Sequence, residues 1–176
     1  MIVCAGEIET FEFATPIGIG LIDSAINLTR ICLEERPKYL LFVGSCGSYG
    51  EHKIHDIIES KTASNIEIGF LDNRCYSPID NVISTSTTDG DIIINSSNYI
   101  TSDRDSMSRF SALKLGGENM EFFSVLRVAQ IFNIPAGGVF CVTNYCDENA
   151  HRDFIANHGF AKSLLAEYVN DRGLLK

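Results

Sequence analysis

The chain has 176 residues, 45% hydrophobic and 21% charged, which suits one folded domain over residues 1–176 with its own core rather than a disordered chain. Its 14 Lys and Arg against 23 Asp and Glu leave a formal charge of -9, a field that repels polyanions, so no nucleic acid and no anionic membrane is expected as a partner. A small nucleoside or phosphate site depends on local groups and stays open.

The chain begins with a short apolar run, Met1 to Ala5, read as a strand. Gly6 and Glu7 follow too soon for a signal peptide, and no apolar run reaches the length of a membrane span, so a cytoplasmic protein is expected. Next comes Pro16-Ile-Gly-Ile-Gly-Leu-Ile-Asp23. Gly18, Ile19 and Gly20 form either a tight turn or a loop where a ligand or anion approaches a helix N-terminus. The dinucleotide fingerprint is not met, because Asp23 stands at the third glycine position. Asp23 also brings negative charge to that helix end, which disfavours a bound phosphate.

The spacing of Ile22, Ala25, Ile26, Thr29, Cys32 and Leu33 predicts a helix with these residues on one inward face, ending at Arg36-Pro37. Tyr39 to Val43 is a continuous apolar run, as is Gly138 to Val142, and both read as strands buried on two faces. Val43-Gly-Ser-Cys-Gly-Ser48 lies at the end of the first of these, where ligands sit in open α/β sheets, so Gly44 and Ser45 are candidates; a plain turn is the alternative. The stretch from Lys61 to Asp91, rich in Ser, Thr, Asn and Asp, reads as irregular strands or a substrate-covering loop.

A second helix is predicted from Met120 to Phe132, with Phe122, Val125, Leu126, Ala129 and Phe132 inward and Asn133-Ile-Pro135 ending it. Glu118-Asn-Met-Glu121 opens that helix, where a carboxylate meets the favourable end of the dipole. Thr143-Asn-Tyr-Cys-Asp147 follows the last strand, and a carboxylate and an amide so placed can hold a polar ligand. A third helix, about Arg152 to Asp171, carries Phe154, Ala161, Leu164, Leu165 and Tyr168 as its stripe. Helix, short loop and buried strand recur in order, which predicts an α/β single-domain three-layer sandwich with a mixed, mostly parallel central sheet and Leu41 and Val139 in adjacent strands. The six cysteines form no C-x-x-C pair, and the histidines complete no zinc pattern with them, so free buried thiols and no metal are expected.

Taken in order, these segments resemble the superfamily of nucleoside phosphorylases and methylthioadenosine/S-adenosylhomocysteine nucleosidases. Gly18-Ile-Gly20 looks like its first glycine loop. Val43-Gly-Ser-Cys-Gly47 with Ile54-His-Asp-Ile-Ile58 looks like its glycine-rich loop and following strand. Asn119-Met-Glu121 resembles the E-M-E motif, and Val142-Thr-Asn144 the terminal S-D or T-N motif. The resemblance implies a purine nucleoside as substrate, with Glu121 on the ribose hydroxyls and on the cationic character of the sugar, and Asn144 on the departing purine. Met120 would pack on the sugar with Asn119 and Thr143 beside it, Tyr99 and Ile100 would lie along the base, and Ser45 with Gly44 would line the sugar or phosphate side. It also implies no cofactor and a homo-oligomer.

Departures from the pattern divide the readings. Asn144 replaces the aspartate of nucleosidases and hexameric phosphorylases, and Thr143-Asn144 looks instead like the trimeric phosphorylases that act on 6-oxopurines. Phe42 stands where hexameric phosphorylases place a phosphate-binding arginine. Asn119 replaces the first glutamate of E-M-E, with Glu118 next to it. The N-terminal region, which in nucleosidases carries the water-activating glutamate, is shorter and offers Glu7 or Glu9. Hydrolysis is favoured by the loss of the arginine at Phe42 and by Asp23. Phosphorolysis, with phosphate as co-substrate and Arg104, Arg109 or a neighbouring subunit supplying the cation, is favoured by Thr143-Asn144. A nucleoside-binding member without turnover is the third reading.

Overall fold

Two long strands form the spine of the molecule, and their sequence explains why. β3 (Leu40–Ser48) and β9 (Ala136–Tyr145) pair in parallel, with Leu41 opposite Gly137 and Val43 opposite Val139. Residues along each strand alternate between two separate cores. Leu40, Phe42, Phe140 and Val142 face a core built with α1 (Gly20–Glu35) and α4 (Phe122–Phe132). Leu41, Val43, Val139 and Cys141 face the other side, where α5 (Ala150–Asp171) supplies Ala161, Leu165 and Val169. Strands covered on both faces must be apolar at every position, which is why these runs do not alternate.

The computed structural model describes residues 1–85 and 91–174. Around the spine lie β1 (Ile2–Cys4), β2 (Thr15–Pro16), β4 (Ile57–Ser60), β5 (Thr62–Ser64), β6 (Val82–Ser84), β7 (Ile93–Ser96) and β8 (Leu115–Asn119). Among the described residues the sheet has nine strands, in the path β2-β1-β3-β8-β7-β5-β6, with β9 pairing β3 and β4. β1 pairs β2 and β3 in parallel, as β7 pairs β5 and β8; β3 with β8, β4 with β9 and β5 with β6 are antiparallel. The sheet is therefore mixed and mostly parallel, with helices on both faces, and the fold class expected from the sequence holds. The stretch that read poorly contains β5, a short helix α2 (Ile68–Leu71) and β6; its residues 86–90 lie outside the described ones. α3 (Arg104–Ala112), which sequence reading did not place, starts at an Asp103 side chain that accepts from Ser106 N.

The first helix corrects the sequence reading. Its end agrees, with Arg36 in a left-handed conformation before Pro37. The buried face, however, is Ser24, Leu28, Ile31 and Cys32, while Ile22, Ile26 and Leu33 are 66%, 63% and 63% exposed. Apolar residues stand on both sides of this helix, so periodicity alone cannot choose between them. The buried position of Ser24 is allowed because its hydroxyl donates to Gly20 O within the helix. Five of the six cysteines are buried and Cys75 is exposed, and all are free thiols.

Candidate active site

The C-terminal ends of the parallel strands β1, β3 and β9 reach one edge of the sheet, and a cavity of about 320 Å³ opens there. Ala5 to Glu9 follow β1 into it, and β3 supplies Ser45, Cys46 and Gly47. At Cys46/Gly47 the β3–β9 register slips by one residue, so that Gly47 pairs Asn144 and Thr143 is skipped. Such a bulge re-aims neighbouring side chains at a strand end, and Thr143 and Asn144 both line the cavity. Glu118 and Asn119 come from the end of β8, Met120 and Glu121 from the turn into α4, Tyr99 and Ile100 from the segment after β7, and Ala150, His151 and Phe154 from the first turns of α5. Residues spread across the chain thus meet at one place.

Glu121 is the most constrained of them. Its Oε1 accepts from Gly20 N at 2.9 Å, and its Oε2 from Asn119 Nδ2 at 2.7 Å and Met120 N at 3.2 Å. The carboxylate is therefore the anion held by the Gly18-Ile19-Gly20 turn, whose glycines have φ of 97° and 83°. Ile19 lines the cavity, but Gly18 and Gly20 do not: the expected ligand-binding loop is filled from within the chain. Asn119 has a fixed orientation, because its Oδ1 accepts from Glu121 N, Phe122 N and Ser96 Oγ. Its amide must then face Glu121. A glutamate at this position would set a second carboxylate against the first, so the asparagine lets residue 119 act as a donor to Glu121. Burial pushes Glu121 up to about 7, against the hydrogen bond from Gly20 and with the charge of Glu9 adding to the rise.

Of the two glutamates after β1, Glu7 is exposed, whereas Glu9 turns inward and its side chain is 12% exposed. Glu9 Oε1 accepts from the Ser45 amide. Burial raises its carboxyl above the usual range, opposed by the Ser45 hydrogen bonds and the charge of Lys162. Gly44 does not line the cavity, contrary to expectation; a Cβ there would meet the Phe42 ring at 2.8 Å and Glu9 Oε2 at 3.2 Å. Its place in the site is to let that carboxylate approach.

Asn144 is buried, with Oδ1 accepting from Thr143 Oγ1 at 2.9 Å and Nδ2 donating to Tyr145 O at 3.0 Å. Tyr99 and Ile100 stand at the rim, 78% and 60% exposed. Their segment is pinned by a residue that the sequence placed at the helix start, beside the position of the missing first glutamate, without assigning it this contact. Glu118, buried at the cavity wall, accepts from Thr101 N, Thr101 Oγ1 and Tyr49 OH at 2.7–2.8 Å. A charged residue among the glycines of an otherwise uncharged strand was the available signal. Cys46, His151 and Phe154 are also lining residues that the sequence did not single out.

The charge of the cavity is one-sided. Glu7, Glu9, Glu118 and Glu121 line it, and among the described residues no lysine or arginine does. Phe42 is fully buried against Phe122 and Phe140. Arg104 pairs with Asp147 and Glu148, and Arg109 with Asp72 and Asp105, and none of these residues lines the cavity. Among the described residues no cluster of three or more His, Cys, Asp or Glu could hold a metal ion, and no helix is long and apolar enough to cross a membrane.

No protein-family model matches the chain, and no curated protein sequence matches it. Solved structures do. A mutant of the Helicobacter pylori methylthioadenosine nucleosidase, with 5'-methylthioadenosine in its active site, is 20% identical with a TM-score of 0.77, over 90% of this chain and 78% of that one. A futalosine hydrolase mutant of Helicobacter pylori is 20% identical with a TM-score of 0.76, over 89% and 77%. The 5'-methylthioadenosine/S-adenosylhomocysteine nucleosidase of S. pneumoniae, with a transition-state inhibitor, is 13% identical with a TM-score of 0.73, over 88% and 76%. The chain has the fold of these nucleosidases.

Proposed function

We propose that this chain hydrolyses the N-glycosidic bond of a purine nucleoside. The observation that carries the reading is the lining of the cavity: four glutamates and, among the described residues, no lysine or arginine. A phosphate dianion entering there would meet like charge with no guanidinium to bind it, whereas water meets a buried carboxylate. The shared fold with nucleosidases supports the same class of chemistry.

In this reading the ribose lies against Met120 with a hydroxyl donating to Glu121, whose negative charge favours the cationic sugar of the transition state. The purine lies along Tyr99 and Ile100 and reaches Asn144, which can donate a hydrogen bond to the ring but cannot protonate it. Glu9 takes a proton from water, and the water oxygen bonds to the anomeric carbon. The carbon–nitrogen bond breaks with its electron pair going to the purine, which leaves and is protonated by solvent. The Thr143-Asn144 pair favours a 6-oxopurine, since that base asks for donors rather than for an acid.

The test is release of free base from inosine and adenosine with and without phosphate. Hydrolysis requires a rate independent of phosphate, and E9Q should lose at least about 100-fold in kcat with nucleoside binding retained, as expected for a general base. A rate that appears only with phosphate selects phosphorolysis. Binding without release by the unmodified chain selects a non-catalytic binder.

A further inference from the structure

One buried nitrogen beside the cavity has no partner. His158, on the inner face of α5, has a side chain that is 10% exposed, and its Nε2 makes no hydrogen bond. It stands 3.9 Å from Glu9 Oε1, the oxygen that already accepts from Ser45 N. A buried ring nitrogen left unpaired is costly, and here the nearest charged acceptor is the carboxylate proposed as the base. One turn further along α5, Lys162 donates to Ile8 O at 2.9 Å and lies over the Phe11 ring. The helix therefore holds the loop on both sides of Glu9 through Lys162, at the Ile8 carbonyl and the Phe11 ring, and sets His158 opposite the carboxylate itself. Phe154 packs on the imidazole from the preceding turn, with ring centroids 4.9 Å apart.

We infer that His158 is a positioning residue for Glu9: its Nε2–H closes on Oε1, fixes the carboxylate beside the Ser45 amide, and leaves Oε2 as the oxygen that takes the proton from water. The inference rests on the hydrolytic reading but concerns a residue to which that reading gives no part. Burial, with the charge of Lys162 added, holds the imidazole below its usual range, so near neutral pH it is neutral and has one N–H to give. The groups facing Glu9 are Lys162 and His158 from α5, Glu121 from the α4 entry, Cys46 from β3 and Cys4 from β1. Among these His158 is the neutral N–H donor, the thiols of Cys4 and Cys46 offering only weak S–H groups, so its removal should raise the carboxyl of Glu9 while the fixed charges stay in place.

The experiment compares H158F, which keeps the ring volume without a donor, with H158Q, whose amide nitrogen can take the place of Nε2. Turnover is followed across pH, and the imidazole resonances of His158 are followed by NMR in the unmodified chain and in E9Q. H158F is expected to lower kcat roughly 10-fold or more with KM nearly unchanged and to move the acidic limb of the pH profile upward by about one unit, as loss of a hydrogen bond to a charged group predicts. H158Q should recover most of both. In the NMR arm His158 should carry its proton on Nε2 and shift when Glu9 becomes Gln. An unchanged kcat and pH profile in H158F overturns the inference, as does a His158 resonance indifferent to E9Q. If H158F fails to fold, H158Q and the NMR titration decide. If the unmodified chain releases no base, the hydrolytic reading fails by itself, and the NMR arm still tests the contact.

Discussion

Replacing Glu121 by Gln changes one atom and should disturb both catalysis and folding, in ways the geometry separates. In E121Q the side-chain oxygen can still accept from Gly20 N. The new amide nitrogen then faces Asn119 Nδ2 and Met120 N, two donors that met Oε2 at 2.7 and 3.2 Å. Asn119 cannot turn over to relieve this, because its own oxygen already accepts three hydrogen bonds. The variant thus loses the charge that faces the sugar, about 3 kcal/mol of transition-state stabilisation or roughly 100-fold in kcat/KM, and it leaves two donors unpaired, which lowers folding stability. The folding effect depends on pH. The carboxyl titrates at about 7 in the folded chain against 4.5 for the free group. A folded pKa above the unfolded one gives stability that is fully present below 4.5 and is lost as pH rises through 7. From this group alone the loss between pH 5.5 and pH 8 is about 2 kcal/mol. Denaturant unfolding of both proteins across that range should show the unmodified chain losing about 2 kcal/mol more than E121Q. Parallel pH curves, or a kcat/KM in E121Q within a few-fold of the parent, would refute the placement of Glu121 as a buried, charged ribose ligand.

Three further outcomes are expected. N144D should shift preference from inosine toward adenosine in parallel kcat/KM measurements, since a carboxyl can protonate the ring and accept from the 6-amino group; unchanged preference would remove Asn144 from the base subsite. E118Q should raise KM several-fold with less effect on kcat, because the carboxylate holds Thr101 and thereby the Tyr99–Ile100 segment; an unaltered KM would mean that the segment keeps its place without it. G117A should lower the melting temperature by roughly 5 °C or more, since its Cβ would lie 2.5 Å from the Gly47 carbonyl oxygen in the neighbouring strand; calorimetry showing no change would mean that β3 and β8 separate easily.

The spine of the fold was legible because β3 opens with the unbroken apolar run Leu40 to Val43 and β9 carries Gly138 to Val142, and only a strand covered on both faces tolerates such runs. The inner face of α1 was not, since Ile22 and Ile26 compete with Leu28 and Ile31 for the core and Ser24 hides among the buried residues by satisfying its own hydroxyl. Short strands such as β7 and β8 carry Gly, Asn and Ser, whose burial comes from neighbours distant in sequence. In the site, the residues drawn from the resemblance at Ser45, Tyr99, Ile100, Asn119, Met120, Glu121, Thr143 and Asn144 do line one cavity. Glu9 could be separated from Glu7 only by seeing which turned inward. Glu118 and His158 depend on contacts across 17 to 149 positions of chain, which no local pattern encodes.

The way Glu121 is held bears on stereochemistry. A carboxylate offers about four lone-pair directions, and Gly20, Asn119 and Met120 occupy three of them before any ligand enters. The side chain gives up its rotational freedom when the chain folds, so little is left to lose on binding. What remains is a single open direction, fixed relative to β8 and to the start of α1. On the proposed reading, a sugar must bring one hydroxyl along that line. Inverting the configuration at that carbon would turn the hydroxyl away from the only vacant lone pair, and the site would then distinguish epimers more sharply than it distinguishes substituents pointing elsewhere.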